Sequence, residues 1–262
     1  MKAGISTASL YPQLLEDALK NLLDTGVKYT ELFINTHSEL DTTYIKMLKK
    51  ELDAHDASCI SLHPFTCPSE PMMLFSSYER RVSDMLDYYK YFFEAMNILS
   101  ADIFVFHGNM SKTAVDEELY FERYLKLYEL GRSFGITVAQ ENVERCQSRS
   151  LEFLRSMKSA LKEKAHFILD VKQAVRSGED PIIMASELGN SIVHVHMSDH
   201  SSTSDCMIPG KGSFDMKSFF KVLKKHSFNG AVLLELYRHN YHDLNDLLGG
   251  LKYIENIMKN TD

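Results

Sequence analysis

Eight short β-rich runs, each followed by a stretch with helical periodicity, restrict what this chain can fold into more than any other feature. The runs lie at 2–6 (KAGIS), 28–34 (KYTELFI), 58–63 (SCISLH), 102–107 (DIFVFH), 136–141 (ITVAQE), 166–170 (HFILD), 191–196 (SIVHVH) and 231–236 (AVLLEL). Between them, apolar residues recur at three- and four-residue spacing, which places them on one face of a helix. Leu15, Ala18, Leu19 and Leu22 make such a stripe before the second run. Val82, Met85, Leu86, Tyr89, Phe93 and Met96 make another before the fourth, and Leu244, Leu247, Leu248, Leu251, Ile254 and Met258 a last one. Gly26 and Gly135 fall where helices should stop, each just ahead of a strand.

This strict alternation over 262 residues predicts an α/β protein, a (β/α)8 TIM barrel forming a single domain over 1–262. An open doubly wound sheet is the competing architecture. It would carry a glycine-rich loop after its first strand, and "STASLYP" is not one. No linker or low-complexity tract divides the chain.

Composition narrows the function classes. Apolar residues make up 44% and charged residues 25%, as in an ordinary soluble globule, and the net charge of −7 offers no footprint for a nucleic-acid backbone. Cys59, Cys67, Cys146 and Cys206 form no C-x-x-C, which predicts free buried thiols in a reducing compartment. Glu16 and Asp17 interrupt the region where a signal peptide needs an apolar run, and no window approaches the ~20 apolar residues of a membrane span. The expectation is a cytoplasmic protein without a membrane partner.

In a barrel of this type the active site lies at the C-terminal ends of the strands. Here strands three to eight end in His63, His107, Glu141, Asp170, His196 and Glu235. Side chains two apart share a strand face. Thr137, Ala139 and Glu141 are therefore expected to point inward together, as are Ile168 with Asp170, Leu233 with Glu235, and Ile192 with His194 and His196. Mostly apolar or small layers capped by a polar ring suit a site at the barrel mouth. Carboxylates mixed with imidazole suit a divalent metal such as Mn2+, Zn2+, Co2+ or Mg2+. His194, one layer lower, is expected to be a buried structural residue. His200 lies in a loop, and Glu31 could contact substrate or metal-bound water, or make a barrel hydrogen bond.

The segments "LHPF", "FHGN", "AQENV", "FILDVKQA", "HVHMSD", "PGKGSFD" and "LLELY", in this order and spacing, resemble the xylose isomerase-like TIM-barrel superfamily over essentially the whole chain. That superfamily includes sugar and sugar-phosphate isomerases, ketose 3-epimerases, inosose-type isomerases and AP endonucleases. The resemblance implies that Glu141, Asp170, His196 and Glu235 hold a metal, with Glu141 and Glu235 as the acid/base pair. It implies that His63 and His107 hold a second metal with the shared Glu141, or else line the substrate pocket. It also matches Asp199 to the acid closing an H-x-x-D segment, and Gly210, Lys211 and Gly212 to a P-G-x-G loop.

Two departures stand out. Where the family often has D-x-x-H, Asp170 is followed by Lys172 and Gln173, and "SDCMIPGKG" lacks the D-x-H pair of the endonuclease branch. A third metal is therefore expected to be absent. The chemistry implied is a metal-dependent sugar or sugar-phosphate isomerase or epimerase that moves a proton next to a carbonyl through a metal-stabilised enediolate. Gln173, Lys211 and Arg238 are the candidate substrate contacts, and the partner expected is a small sugar. The alternatives are an AP endonuclease-like phosphodiesterase, a dehydratase of the same fold, or a metal-binding barrel without catalysis. The particular sugar and any homo-oligomer are not legible in the sequence.

Overall fold

The computed structural model of the chain describes residues 1–261; the expected domain of 1–262 includes Asp262, which lies outside the described residues. Eight parallel strands close on themselves in sequence order: β1 (Lys2–Ser6), β2 (Tyr29–Phe33), β3 (Ser58–His63), β4 (Ile103–Phe106), β5 (Thr137–Glu141), β6 (Phe167–Asp170), β7 (Ile192–Met197) and β8 (Ala231–Leu234). The helices surround them: α1 (Leu15–Asp24), α2 (Thr42–Ala54), α3 (Glu70–Met73), α4 (Glu79–Leu99), α5 (Glu117–Ser133), α6 (Leu151–Leu161), α7 (Val171–Arg176), α8 (Pro181–Leu188), α9 (Met216–Lys225) and α10 (Leu244–Lys259). This is the (β/α)8 barrel that the alternation of strand and helix signals called for.

Several helices begin on a side-chain cap. Asp41 opens α2 by accepting from the amides of Thr43 and Tyr44 at 2.8 and 3.1 Å, and Ser150 opens α6 by accepting from Phe153 at 3.2 Å. Such caps satisfy donors that a first helical turn leaves free. The stripe of α1 is fully used, with Leu15, Ala18, Leu19 and Leu22 all buried. In α4, Tyr89 and Phe93 meet Phe104 of β4 edge-on, with ring centroids 5.4 and 5.3 Å apart. Truncating Phe104 to alanine would open a hole in the seam between barrel and helices, at a cost of about 3–5 kcal/mol.

The barrel interior is thinner and separate from that seam. Val105, Ala139 and Ile168 pack together inside, with Ile103 and Val193 against them. One expectation fails here. Pairing between β6 and β7 shifts register, so that Phe167 faces Ile192 but Ile168 faces His194. A bulge takes up one residue on β7. Ile192 consequently joins Val195 in the outer layer, and Val193 takes the inward place expected for Ile192. His194 and His196 keep their shared face above the bulge.

Candidate active site at the barrel mouth

The strands deliver their terminal side chains to one place. His63 ends β3, Glu141 ends β5, Asp170 ends β6, and His196 lies one residue short of the end of β7. His107 and Glu235 follow β4 and β8 directly. Backbone contacts fix these ends. The Gln140 amide donates to the carbonyls of Phe106 and His107 at 3.1 and 2.9 Å, and Asn142 clamps both the N–H and the C=O of Asp170 at 2.7 and 3.0 Å.

His196 is the hub. Its Nδ1 lies 2.9 Å from Glu141 Oε1, 3.2 Å from Glu235 Oε2 and 3.7 Å from Asp170 Oδ2. On the other side its Nε2 lies 3.1 Å from Glu31 Oε2. Glu31 is fully buried and also accepts from Ser6 Oγ at 2.9 Å and Ser61 Oγ at 2.7 Å. Burial opposes ionisation of Glu31, but the charge and hydrogen bond of His196 outweigh it and hold this carboxyl well below the usual carboxylate range. A carboxylate on one imidazole nitrogen sets the tautomer and leaves the other nitrogen free to bind a metal. Glu31 thus makes barrel hydrogen bonds beneath the site and does not line the cavity above it. His194 is buried as expected, 3.3 Å from Ser61 Oγ, and burial lowers its pKa to about 3, keeping it neutral.

A second group adjoins the first. His107 Nε2 lies 3.2 Å from His63 Nε2 and 3.8 Å from Glu141 Oε2. Behind it stands Glu70, the first residue of α3, which the sequence gave no reason to single out. Glu70 is fully buried, accepts from Thr66 Oγ1, Tyr89 OH and the Gly108 amide at 2.9, 3.0 and 2.8 Å, and lies 3.9 Å from His107 Nδ1. Burial disfavours the His107 imidazolium, yet Glu70 and the nearby Cys67 and Glu141 overcome it and raise the pKa to about 9. Only glycine fits at 108: φ is +84°, and a Cβ there would lie 1.8 Å from the Tyr120 hydroxyl.

The donor chemistry fits a divalent cation. One atom each from Glu141, Asp170, His196 and Glu235 lies within 4.8 Å of the others, and all four residues are buried. Three carboxylates and one imidazole form a mixed oxygen and nitrogen donor set of the kind a divalent cation takes, and a bound cation would take over the charge balance that the Lys172 ammonium supplies here. His63, His107 and Glu141 meet the same distance limit, and so do Glu31, His194 and His196, a grouping the sequence did not suggest.

Lys172 was noted in the sequence only as a departure, and its place is unexpected. Its ammonium is buried, pairs with Asp170, and lies 2.7 Å from Glu235 Oε2 and 5.6 Å from the Tyr237 ring centroid. The cause is local. Asp170 caps α7 by accepting from the Gln173 amide at 2.9 Å, so the helix starts at once and the Lys172 side chain turns back over its own cap.

A cavity of about 590 Å³ opens above these groups, lined among others by Tyr11, Phe33, His63, His107, Glu141, Glu235 and Tyr237. Gln173 lines it, though its Oε1 already accepts from the Glu144 amide at 3.1 Å. Lys211 and Arg238 do not line it. Lys211 is exposed on its loop, and Arg238 is turned away by donating to the carbonyls of Tyr241 and His242 at 3.0 and 3.3 Å. The lysine and arginine side chains that do reach the cavity are Lys172 and Arg145. Asp199 holds the P-G-x-G loop in shape by accepting from the amides of Gly210, Gly212 and Phe214 at 2.9, 3.0 and 3.0 Å. His200 packs against Phe214 and does not line the cavity. Among the described residues no helix is long and apolar enough to cross a membrane.

Comparison with known proteins points one way. The profile described as "Xylose isomerase-like TIM barrel" matches residues 19–257. An uncharacterized protein of Mycobacterium leprae is 24% identical over 267 aligned positions, covering 90% of this chain and 89% of its own. Among solved structures, a D-tagatose 3-epimerase-like protein superposes with a TM-score of 0.80 at 17% identity, covering 99% of this chain and 97% of its own. The IolI protein, solved with a bound zinc atom, superposes with a TM-score of 0.78 at 16% identity, covering 100% and 99%.

Proposed function

The chain belongs to the xylose isomerase-like TIM barrel family, and from that premise we propose that it is a divalent-metal-dependent isomerase or epimerase of a small sugar. The observation that carries this reading is the placement of two buried carboxylates, Glu141 and Glu235, 2.9 and 3.2 Å from the same nitrogen of His196 and on the wall of the same cavity. Epimerisation next to a carbonyl needs one group to take a carbon-bound proton and a group on the other side to return one. Isomerisation needs the proton returned to the neighbouring carbon.

Glu141, Asp170, His196 and Glu235 are the residues that would hold the cation. When bound, it supplies Lewis-acid polarisation of the substrate carbonyl and offsets the negative charge left by proton removal. The chain's own residues do the rest. Glu141 and Glu235 take and return the proton. Asp170, fixed by Asn142 and by its own helix cap, acts only as a ligand. His196, with Nε2 held by Glu31, presents Nδ1. His63 and His107 face substrate oxygens from the opposite shoulder or complete a second cation site with Glu141. Tyr11, Phe33 and Tyr237 wall the cavity with apolar surface and exclude water from the reacting carbon.

The test is proton exchange in heavy water. The purified protein is loaded in turn with Mn2+, Zn2+, Co2+ and Mg2+ and offered ketoses, inososes and sugar phosphates, with deuterium incorporation read by NMR. The reading expects metal-dependent incorporation at a carbon adjacent to a carbonyl. Loss of water from an inosose would move the assignment to a dehydratase. Metal-dependent nicking of abasic DNA with no exchange on any sugar would overturn the assignment.

A further inference from the structure

The proton-transfer scheme leaves a pair of cysteines at the cavity rim unused. Cys67 lies on the irregular stretch between His63 and Glu70, and Cys146 on the loop that follows β5. Both are buried, and with Val143 they form a small cluster of their own, capped by Met110 and apart from the main core. Cys67 nonetheless lines the cavity, so a small solute entering the mouth can reach its sulfur. The Arg145 guanidinium donates to that sulfur at 3.5 Å, an interaction that favours thiolate over thiol. The other two cysteines differ. Cys59 belongs to the main core and Cys206 is buried there as well, and neither lines the cavity.

We propose that Cys67 and Cys146 form an oxidisable thiol pair, in which Cys67 reacts with a hydroperoxide that enters the cavity and Cys146 resolves the product to a disulfide. In the first step the Cys67 thiolate attacks the terminal peroxide oxygen. The S–O bond forms, the O–O bond breaks, and the departing alkoxide or hydroxide leaves as alcohol or water with the proton the thiol has given up. Sulfur loses two electrons and the peroxide gains them. In the second step the Cys146 sulfur attacks the Cys67 sulfur. The S–S bond forms, the S–O bond breaks, and hydroxide leaves as water with the Cys146 proton.

The titration of the thiols agrees with this division of roles. The Cys146 thiol beside it is the main influence on Cys67, with His107 and Arg145 adding to it, and together they outweigh burial and lower its pKa to about 6. Burial instead pushes Cys59 and Cys206 up to about 12 and about 11. Cys67, the member of the pair that lines the cavity and accepts from Arg145, is therefore the attacking sulfur. Because the stretch 64–69 carries no strand or helix, it can supply the shift that an S–S bond requires. The disulfide would tie the loop after His63 to the loop after Glu141 across the cavity rim. None of this depends on the sugar reading.

The experiment treats the reduced full-length protein with one equivalent of hydrogen peroxide, then counts thiols after denaturation and maps disulfide-linked peptides. The expected result is a loss of two of the four free thiols, a single linked peptide joining Cys67 to Cys146, and full recovery with dithiothreitol. In Cys146→Ser, dimedone should trap a sulfenic acid on Cys67. In Cys67→Ser the count should stay unchanged under the same treatment. Circular dichroism of each variant verifies folding, and iodoacetamide alkylation of wild-type Cys67 should reach half its limiting rate near pH 6. First oxidation at Cys59 or Cys206 would overturn the proposal. So would over-oxidation of Cys67 with Cys146 left free, or no reaction at Cys67.

Discussion

The two shoulders of the barrel mouth share Glu141 and differ in what balances their charge. On the β5–β8 side, three carboxylates surround one imidazole, and the chain supplies its own cation, the Lys172 ammonium on Asp170 and Glu235. On the β3–β4 side, two imidazoles face each other at 3.2 Å, and Glu70 behind His107 favours the imidazolium there. Burial and the charge of His107 hold His63 below its ordinary value. That side therefore carries a proton near neutral pH. The carboxylate-rich side has excess negative charge to offer a dication, whereas the imidazole-rich side is already neutralised and is suited to donating hydrogen bonds to oxygens. Two adjacent groups of metal-capable residues need not be two equal metal sites.

The largest expected effect comes from the residue the two sides share. Glu141→Gln should keep the fold and lower solvent exchange of the substrate's carbon-bound proton about 10²–10⁴-fold, the usual weight of a general base. Glu235→Gln should follow it. Metal content must be read on the same samples, because both changes also remove a charged donor; full exchange by metal-loaded Glu141→Gln would exclude it as the base.

Lys172→Met separates the two sides more sharply. Removing the ammonium should tighten Mn2+ or Zn2+ binding at least about tenfold in calorimetry, since a unit charge about 4 Å away is worth about 4 kcal/mol at an effective dielectric of 20. The metal-free variant should melt at lower temperature, having lost the partner of two buried carboxylates. Unchanged affinity would mean that Lys172 does not compete for the site.

Acidity should act on the carboxylate-rich side through His196. Burial opposes its imidazolium, but Glu31, Glu235, Asp170 and Glu141 raise its pKa well above the ordinary value. A cation needs the free Nδ1 lone pair, so binding must expel that proton. Affinity should therefore rise with pH over the range below the raised pKa, by about tenfold per unit for one proton released. Titrations in buffers of different ionisation enthalpy count the protons, and release of none would contradict the geometry around Nδ1.

The smallest effect is expected at Glu70→Gln. The glutamine oxygen can still accept from Thr66 and Tyr89, the Gly108 amide loses its acceptor, and His107 loses the charge behind it, so the His107 pKa should fall from about 9 and first-metal affinity should stay within about threefold. NMR titration of the histidines checks the first, and calorimetry the second.

Much of this was legible in the sequence because it rests on strand period and strand ends. All eight strands lie where the β-rich runs stand, and of the six polar residues that close strands three to eight, His63, His107, Glu141 and Glu235 line one cavity while Asp170 and His196 lie against Glu141 and Glu235. Legibility failed where geometry depends on one-residue or tertiary detail. A bulge between Ile192 and His194 reversed the expected side of Ile192, and nothing in the composition of β7 announces it. Glu70 comes from a four-residue helix in a loop, so no periodicity carries it to His107. Lys211 and Arg238 sit in segments whose course is set by contacts with Asp199 and with local carbonyls, which strand parity does not govern. Lys172 could have been read from the cap at Asp170, since a residue two places into a helix can reach back to the strand end.

The central claim is that four strand-end side chains hold one divalent cation at the mouth of this barrel. Anomalous diffraction from crystals equilibrated with Mn2+ or Zn2+ tests it most directly. The account predicts the strongest peak at about 2.0–2.3 Å from donor atoms of Glu141, Asp170, His196 and Glu235, with the Lys172 ammonium moved off Asp170 and Glu235. A strongest peak elsewhere, or Lys172 still bridging those carboxylates in crystals of protein that exchanges substrate protons, would contradict it.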